Sequence, residues 1–403
     1  MLDDPMRRFL PALLLLLLAA CQVREQVDFL QSPGVGNALR PVLVGTTRGA
    51  DPNQPVPGWE RNPQVTYGRY VVSIPPDREV GTIPRQRPRQ VADPERHFML
   101  AESVQETPAE FVAALRAELA QQPSNQHEAV VFIHGFNTAF IEGVYRTAQL
   151  DYDLRIPGVM LHYSWPSLGA PLAYAHDRDS ALFARDGLID MLHQVRQAGP
   201  RRIILMAHSM GSHLLMETLR QMALTRDPTL RQIGGVILIS PDVDVELFRQ
   251  QVRTIGTLPE PFLIITSQRD RILALSASLT GERSRLGNLP DATAVEGLGV
   301  TLVDVSAFGQ GSGHFTAGSS PALIGLLDQM NALNVALGSE NAGSVPLLPA
   351  TILTLQSTTE VILTPFTEIS GEVTGNNRNP RAVMPWWLRN FVAGGHALQD
   401  TAR

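Results

Sequence analysis

The chain has 403 residues, of which 44% are hydrophobic and 18% are charged, and its net charge at pH 7 is −6. This composition is ordinary for a globular protein and the length allows one large domain or two modest ones. The acidic balance, with no long basic run, gives no reason to expect a nucleic-acid partner. The single cysteine excludes an intramolecular disulfide and the C-x-x-C metal and redox motifs.

The N-terminal segment is typical of a secreted bacterial precursor. A positive region at residues 6–8 precedes an apolar run at residues 9–18, which is too short to span a bilayer as a stable helix. The following LAAC resembles a lipobox, in which Cys21 becomes the lipid-bearing first residue of the mature chain. The alternative is a plain secretory signal cleaved near Ala20. We therefore expect attachment to the cell envelope through a lipid on Cys21, with Gln22 favouring the outer membrane.

The elements that follow begin with strands and then alternate. We expect a signal peptide at 1–20, a polar tether at 21–40, one domain at 41–337 and an irregular C-terminal extension at 338–403 with a strand-like piece at 360–366. Strands are predicted at residues 41–48, 65–74, 97–104, 129–137, 158–166, 201–209, 234–242, 261–270 and 300–306. Helices are predicted at residues 109–121, 141–150, 179–197, 211–224, 245–252, 272–279 and 321–337.

Several of these strands are continuous apolar runs rather than alternating ones. Such strands are covered on both faces, as in a parallel sheet flanked by helices. The alternation of six later strands with helices therefore predicts an α/β fold with a doubly wound, mostly parallel sheet.

Ser209 stands where a predicted strand meets a predicted helix, in the stretch RRIILMAHSMGSHLLMETLR. Ligand sites of open parallel sheets lie beyond the carboxyl ends of the strands. A serine on a sharp strand-to-helix turn needs small neighbours, and Ala207 and Gly211 are small. This is the geometry of the G-x-S-x-G nucleophile elbow, here with Ala in place of the first Gly. The alternative is a serine that only caps the helix.

A serine nucleophile needs a base, and the base needs an orienting carboxylate. His314 follows the last predicted strand within GQGSGHF and is the preferred base, with His396 as the alternative. Asp270 ends a predicted strand and is the preferred acid, with Asp242 as the alternative. The remaining interpretations place His97, His127, His176, His193 and His213 in loops or on helix surfaces, His162 in the core, and His134 as a brace for its own loop.

The developing oxyanion requires preorganised donors. We expect one from the amide of Met210 and the other from the amide of Phe136, which follows a strand in the stretch HGFN. Tyr163 and Trp165 end a neighbouring strand and are expected to line the substrate pocket, although core packing is an equal alternative for Trp165.

Together these motifs resemble the α/β-hydrolase superfamily. The stretches VLVGTTR, YGRYVVSIP, VFIHGFN, YSWPS, AHSMG, SPDVD, SQRDRILALS and GHF resemble a bacterial family of uncharacterised esterase- or lipase-like hydrolases, over about residues 41–337. The resemblance implies a triad of Ser209, Asp270 and His314 and an acyl-enzyme mechanism, but it implies no particular substrate.

The sequence therefore predicts a serine hydrolase that acts on an acyl ester or lipid-like substrate, without a metal or cofactor. The alternative is a non-catalytic envelope lipoprotein that uses the same fold as a binding scaffold, because a fold does not guarantee activity. The oligomeric state is left open.

Overall fold

A computed structural model describes residues 27–31, 34, 36–84, 91–279, 281, 284–289, 292–308, 314, 319, 351–357 and 360–365. The predicted signal peptide, Cys21, the helix predicted at 321–337, His396 and most of the C-terminal extension lie outside these residues.

The described strands form one sheet of eleven. They are β1 (Ala38–Ala50), β2 (Pro57–Ile74), β3 (Met99–Glu106), β4 (Glu128–Ile133), β5 (Val159–Ser164), β6 (Arg202–His208), β7 (Ile233–Ile239), β8 (Phe262–Thr266), β9 (Thr301–Asp304), β10 (Thr351–Ser357) and β11 (Glu360–Pro365). Their order is β11-β10-β9-β8-β7-β6-β4-β5-β1-β2-β3. In this spatial order, every neighbouring pair in the run β10-β9-β8-β7-β6-β4-β5-β1 is parallel. The pairs β1–β2, β2–β3 and β10–β11 are antiparallel. The predicted α/β class with a mostly parallel sheet is confirmed.

Seven α-helices accompany these strands in the described part of the chain. They are α1 (Pro108–Gln121), α2 (Phe140–Leu154), α3 (Tyr174–Phe183), α4 (Arg185–Ala198), α5 (Met210–Leu224), α6 (Val245–Ile255) and α7 (Arg271–Leu279). α1 shows why such segments become helices: Thr107 and Glu110 form a capping box, Pro108 occupies the first turn, and Phe111, Leu115 and Leu119 share the buried face. No described helix combines the length and apolarity that a bilayer crossing requires.

Helices cover the sheet on both faces, as the apolar runs predict. One core cluster joins α1, α4, α5 and α6 to the face that carries Leu43, Val131 and Leu205. The other joins α2 to the opposite face of the early strands, which carries Val42 and Val44. Because successive residues of a strand point to opposite faces, Val42, Leu43 and Val44 alternate between the two cores.

Two predictions about the elements are corrected. The single helix predicted at 179–197 is two helices, α3 and α4, which meet at Ala184, whose carbonyl accepts a 2.6 Å hydrogen bond from the Tyr163 hydroxyl. Part of the extension predicted to be irregular joins the sheet, because β10 pairs with the edge of β9 and β11 pairs with β10. The strand-like piece predicted at 360–366 is β11.

The strands that precede the predicted site residues also end earlier than expected. β4, β7 and β8 stop at Ile133, Ile239 and Thr266. The candidate residues therefore stand on loops just beyond the carboxyl ends of the strands, where ligand sites of parallel sheets lie.

Candidate active site

Ser209 occupies a strained turn between β6 and α5. Its φ and ψ are 51° and −122°, in a region that non-glycine residues rarely adopt and that costs roughly 1–3 kcal/mol. Its amide donates to the carbonyl of Ile239 over 3.0 Å, and its carbonyl accepts the amide of Asp242 over 3.1 Å. The side chain makes no capping hydrogen bond to α5, so the helix-cap alternative is not what the structure has.

Two glycines allow this turn to approach the loop after β4. A Cβ on Gly211 would lie 2.4 Å from the carbonyl oxygen of His134 and 2.7 Å from that of Ile133. A Cβ on Gly135 would lie 2.9 Å from the Cβ of Ser209. The prediction that residue 211 must be small is confirmed. Residue 135 must also be small, because it packs against Ser209 from the opposite side.

The amides of Phe136 and Met210 belong to the two segments that these glycines bring together. Neither amide donates to an acceptor among the described residues. Met210 is the first residue of α5, so its N–H also carries the partial positive charge of the helix N-terminus. The site thus offers two uncommitted donors at the edge of the sheet where Ser209 stands.

Asp270 and His314 are in direct contact. Nδ1 of His314 lies 2.8 Å from Oδ2 of Asp270, and the carboxylate is buried. The other carboxylate oxygen accepts the amide of Leu273 over 3.0 Å, in the first turn of α7. When Nδ1–H of a neutral imidazole is donated to a carboxylate, Nε2 is left as a free base. The structure therefore brings together the preferred base and the preferred acid.

Asp242, the alternative acid, has other partners. Its carboxylate accepts hydrogen bonds from the Tyr174 hydroxyl over 2.9 Å and the Ser276 hydroxyl over 2.7 Å, and it pairs with Arg285 over 3.1 Å. All these groups are at least partly buried. Asp242 therefore connects α3, α7 and the segment of Arg285 through its hydrogen bonds and ion pair.

His208 is a neighbour of the site that the sequence reading did not single out. Its ring centroid lies 4.8 Å from that of His314, and its Nε2 lies 3.4 Å from the carbonyl oxygen of His314. Burial, with His314 as a second cause, lowers the pKa of His208 well below its usual range. Because His208 directly precedes Ser209, this contact of the neutral ring holds the segment of His314 next to the turn of Ser209. Its position inside the elbow motif was the available signal.

Tyr163 and Trp165 do not line an open pocket. Both are fully buried in the core, and burial raises the pKa of the Tyr163 hydroxyl far above its usual range. The indole of Trp165 stacks on His134 at 4.8 Å and donates to the His134 carbonyl over 2.7 Å. The expectation that these residues line the substrate pocket is therefore corrected. Both pack in the core, as the alternative for Trp165 predicted, and Trp165 braces His134.

His213 is also buried rather than on a helix surface. It lines a small polar cavity beside Met210, together with Tyr174, Arg178, Asp242, Asp244, Leu247 and Arg285. Its Nε2 has no hydrogen-bond partner among the described residues. Burial, with Arg178 as the second cause, lowers the pKa of His213, so the ring is neutral at pH 7. The prediction failed because α6 packs over this side of α5.

Comparison with known proteins gives one family match. Residues 109–330 match the sequence model of a family described as alpha/beta hydrolase of unknown function (DUF900). No curated protein matches the chain.

Several solved hydrolases resemble the structure at low identity. Lipase B of Aspergillus fumigatus is 16% identical over 53% of this chain and 55% of its own, with a TM-score of 0.34. A predicted CIB-like hydrolase from Thermoplasma acidophilum is 16% identical over 75% of this chain and 98% of its own, with a TM-score of 0.32. An esterase from Pyrobaculum calidifontis is 14% identical over 68% and 81%, with a TM-score of 0.31. The chain spans about half the length of the Aspergillus lipase.

The family match covers more than half of the chain and includes the elbow, the loop after β4 and the strand end that carries Asp270. The parallel sheet, the strained serine after β6 and the helices on both faces agree with it. The protein therefore belongs to the DUF900 family of α/β hydrolases.

Proposed function

We propose that the protein is a serine hydrolase of the carboxylesterase or lipase type, with Ser209 as nucleophile, His314 as base and Asp270 as the orienting acid. The observation that carries the proposal is the 2.8 Å contact between His314 and the buried carboxylate of Asp270. It lies at the same edge of the sheet as the strained turn of Ser209. A carboxylate, an imidazole and an activated hydroxyl are the three roles that acyl transfer by serine requires.

The proposed reaction has two halves. Nε2 of His314 removes the proton of the Ser209 hydroxyl as its oxygen attacks the acyl carbon, and the negative charge passes to the carbonyl oxygen of the ester. The amides of Phe136 and Met210 stabilise that oxyanion, and Asp270 stabilises the imidazolium. His314 then protonates the leaving alcohol, and the acyl group stays on Ser209. Water, deprotonated by His314, releases the carboxylic acid and restores the serine.

The substrate proposed is an acyl ester or a lipid-like ester. A lipid on Cys21 would hold the enzyme at the cell envelope, next to membrane lipids. Mass spectrometry of the purified mature protein tests this anchor, and an N-terminus without a diacylglyceryl group on Cys21 would contradict it. Hydrolysis of p-nitrophenyl esters of increasing chain length tests the substrate class, since a rate that rises with chain length favours lipids.

Labelling by a fluorophosphonate probe tests the mechanism. We expect the wild-type protein to be labelled on Ser209 and the Ser209→Ala variant to be inert. The matched control is Ser240→Ala, because Ser240 is also a buried serine at a strand end with a positive φ of 44°. That variant should be labelled like the wild type. A folded wild-type protein that is neither labelled nor active on any ester would favour the non-catalytic scaffold instead.

A further inference from the structure

Arg48, near the end of β1, is a buried cation that the proposed reaction does not use. Only 2% of the residue is exposed. Its guanidinium donates to Ser164 Oγ over 2.9 Å, to the carbonyls of Gly58, Ser167 and Thr138 over 3.1, 2.9 and 2.8 Å, and it lies 3.4 Å from Nε2 of His134. A guanidinium has five N–H groups, of which four have oxygen acceptors here and the fifth faces Nε2 of His134.

The charge of Arg48 is balanced by nearby carboxylates without direct contact, and Ser167 lies between Arg48 and Asp177. No described carboxylate bonds to it directly. Ser167, whose carbonyl accepts from Arg48, donates its hydroxyl to the buried carboxylate of Asp177 over 2.5 Å. Burial lowers the pKa of Arg48 to about 9, while Asp177 and Glu142 oppose that shift. The guanidinium therefore stays charged at pH 7 inside the protein.

Arg48 and Asp177 hold the loop after β4 from both sides. Arg48 binds the carbonyl of Thr138, and the amide of Thr138 donates to Ser167 Oγ over 3.1 Å. The amide of Asn137, whose φ is 55°, lies 3.3 Å from the carboxylate of Asp177 and donates to it. Phe136 stands between these fixed residues and His134, so its peptide has little freedom to rotate.

This network unites three sequence stretches that the elbow and the Asp270–His314 pair leave without a role. Arg48 ends VLVGTTR, the loop after β4 contains HGFN, and Ser164 and Ser167 belong to YSWPS. Burying an arginine carries a large desolvation penalty, and a well-packed apolar side chain often gives equal or greater stability. Packing alone therefore does not account for Arg48, whereas a requirement for one loop geometry does.

We propose that Arg48 is a positioning residue, which fixes the loop of residues 134–138 so that the Phe136 amide points at the developing oxyanion. The inference rests on the proposed function, because it assigns a role to the proposed donor. An arginine suits the task since its planar fork reaches both loops at once, which the single ammonium of a lysine does not.

Steady-state kinetics on a p-nitrophenyl ester, combined with hydrogen–deuterium exchange, tests the proposal on the full-length protein. In Arg48→Met we expect kcat to fall about 100-fold with KM changed less than about threefold, because misaligned donors act on the transition state. The amides of Asn137 and Thr138 should exchange faster, while those of β7 keep their rates. Arg48→Lys should recover only part of kcat.

Arg61→Met is the matched control. Arg61, in β2, bonds to α3 through Ser180 Oγ at 3.0 Å and the His176 carbonyl at 3.2 Å, but no described contact links it to the loop. Its kcat and its loop exchange should equal those of the wild type. Ser167→Ala supplies a second variant if Arg48→Met does not fold, and its kcat should fall about tenfold because Thr138 and Asp177 lose their shared partner.

The outcomes separate the two levels of the proposal. A wild-type protein inactive on esters and phosphonates overturns the proposed function, and with it the role of Arg48. An active wild type with unchanged kcat in both Arg48→Met and Ser167→Ala overturns the positioning role alone. Faster loop exchange with unchanged kcat overturns it as well, since the loop would then be held for stability only.

Discussion

Asp270 and His314 are 44 residues apart in the chain, yet Oδ2 of Asp270 lies 2.8 Å from Nδ1 of His314. The carboxylate is oriented independently of the histidine, because its Oδ1 accepts the amide of Leu273 at the start of α7. One oxygen thus anchors the aspartate to a helix and the other faces the imidazole. The Asp270 carboxylate therefore has one fixed orientation relative to His314.

Asp270→Asn should inactivate the enzyme without unfolding it. Asparagine keeps the carbonyl oxygen that caps α7, but its neutral amide stabilises neither the required tautomer nor the imidazolium. By analogy with serine hydrolases that lose this carboxylate, we expect kcat to fall roughly 10⁴-fold with an unchanged melting temperature. Stopped-flow ester hydrolysis and thermal denaturation measure the two effects.

Asp242→Asn is the control that separates the two candidate acids. It weakens the buried pair with Arg285 and should lower the free energy of unfolding by about 3 kcal/mol. Fluorophosphonate labelling of Ser209 should persist below the new melting temperature. If Asp242→Asn abolished labelling and Asp270→Asn did not, the assignment of the acid would be reversed.

Gly211→Ala should damage both stability and turnover. The new Cβ would meet the backbone oxygens of His134 and Ile133, at 2.4 and 2.7 Å, and backbone atoms cannot move aside cheaply. We expect a loss of about 3 kcal/mol from overpacking and a fall in kcat of more than about tenfold. Chemical denaturation and ester hydrolysis at 25 °C measure these losses.

Gly235→Ala provides the comparison for this substitution. Gly235 lies in β7, and its new Cβ would be 3.2 Å from the end of the Ile204 side chain, with the next neighbour at 3.5 Å. Its effect on kcat should be negligible. Equal kinetic losses in the two variants would mean that Gly211 has no special relation to the loop after β4.

Trp165→Phe tests whether Trp165 braces His134 or lines the substrate pocket. Phenylalanine retains the stacking on His134 but removes the indole N–H, which leaves the His134 carbonyl without that donor. We expect a loss of about 2 kcal/mol in the free energy of unfolding and no change in the relative rates for p-nitrophenyl esters of different chain length. Trp59→Phe, at a partly exposed site, should change neither quantity. An altered chain-length preference in Trp165→Phe would restore the pocket role.

Asp151→Asn should stabilise the protein at neutral pH. Burial raises the pKa of Asp151 in α2 to about 6, although Arg40 opposes the shift, so the folded state binds this proton more tightly than the unfolded chain does. The corresponding stability is complete below about pH 4 and is lost as the pH rises through 6. Asparagine avoids that loss. We expect a gain of about 2 kcal/mol at pH 7.5 and none at pH 4, measured by urea denaturation at both values. A gain independent of pH would contradict the assignment.

The sheet and the elbow could be predicted because their signals are local. Apolar runs such as residues 201–208 predict buried strands, and small residues around Ser209 predict the turn. The residues alone favoured Asp270 over Asp242 but could not exclude either, since each follows a strand. The structure separates the two by their distant partners, His314 for Asp270 and Arg285 for Asp242, which no local pattern connects to them.

The failed predictions share a cause in tertiary contacts. Nothing in residues 179–197 indicates a break, because the Tyr163 hydroxyl that binds the Ala184 carbonyl comes from a neighbouring strand. The network of Arg48 was hidden for the same reason. Its partners lie in three separate segments, and each segment reads alone as a strand end or a loop.

The close packing of Gly211 against the carbonyls of His134 and Ile133 has an evolutionary consequence. The two proposed oxyanion donors, Phe136 and Met210, follow the adjoining strands β4 and β6, and this packing holds their two segments together. The loops that follow β5, β7 and β8 carry neither of these amides. Substitutions in those loops can therefore alter what the protein binds without moving either proposed donor, and such loop variation lets one fold serve many functions.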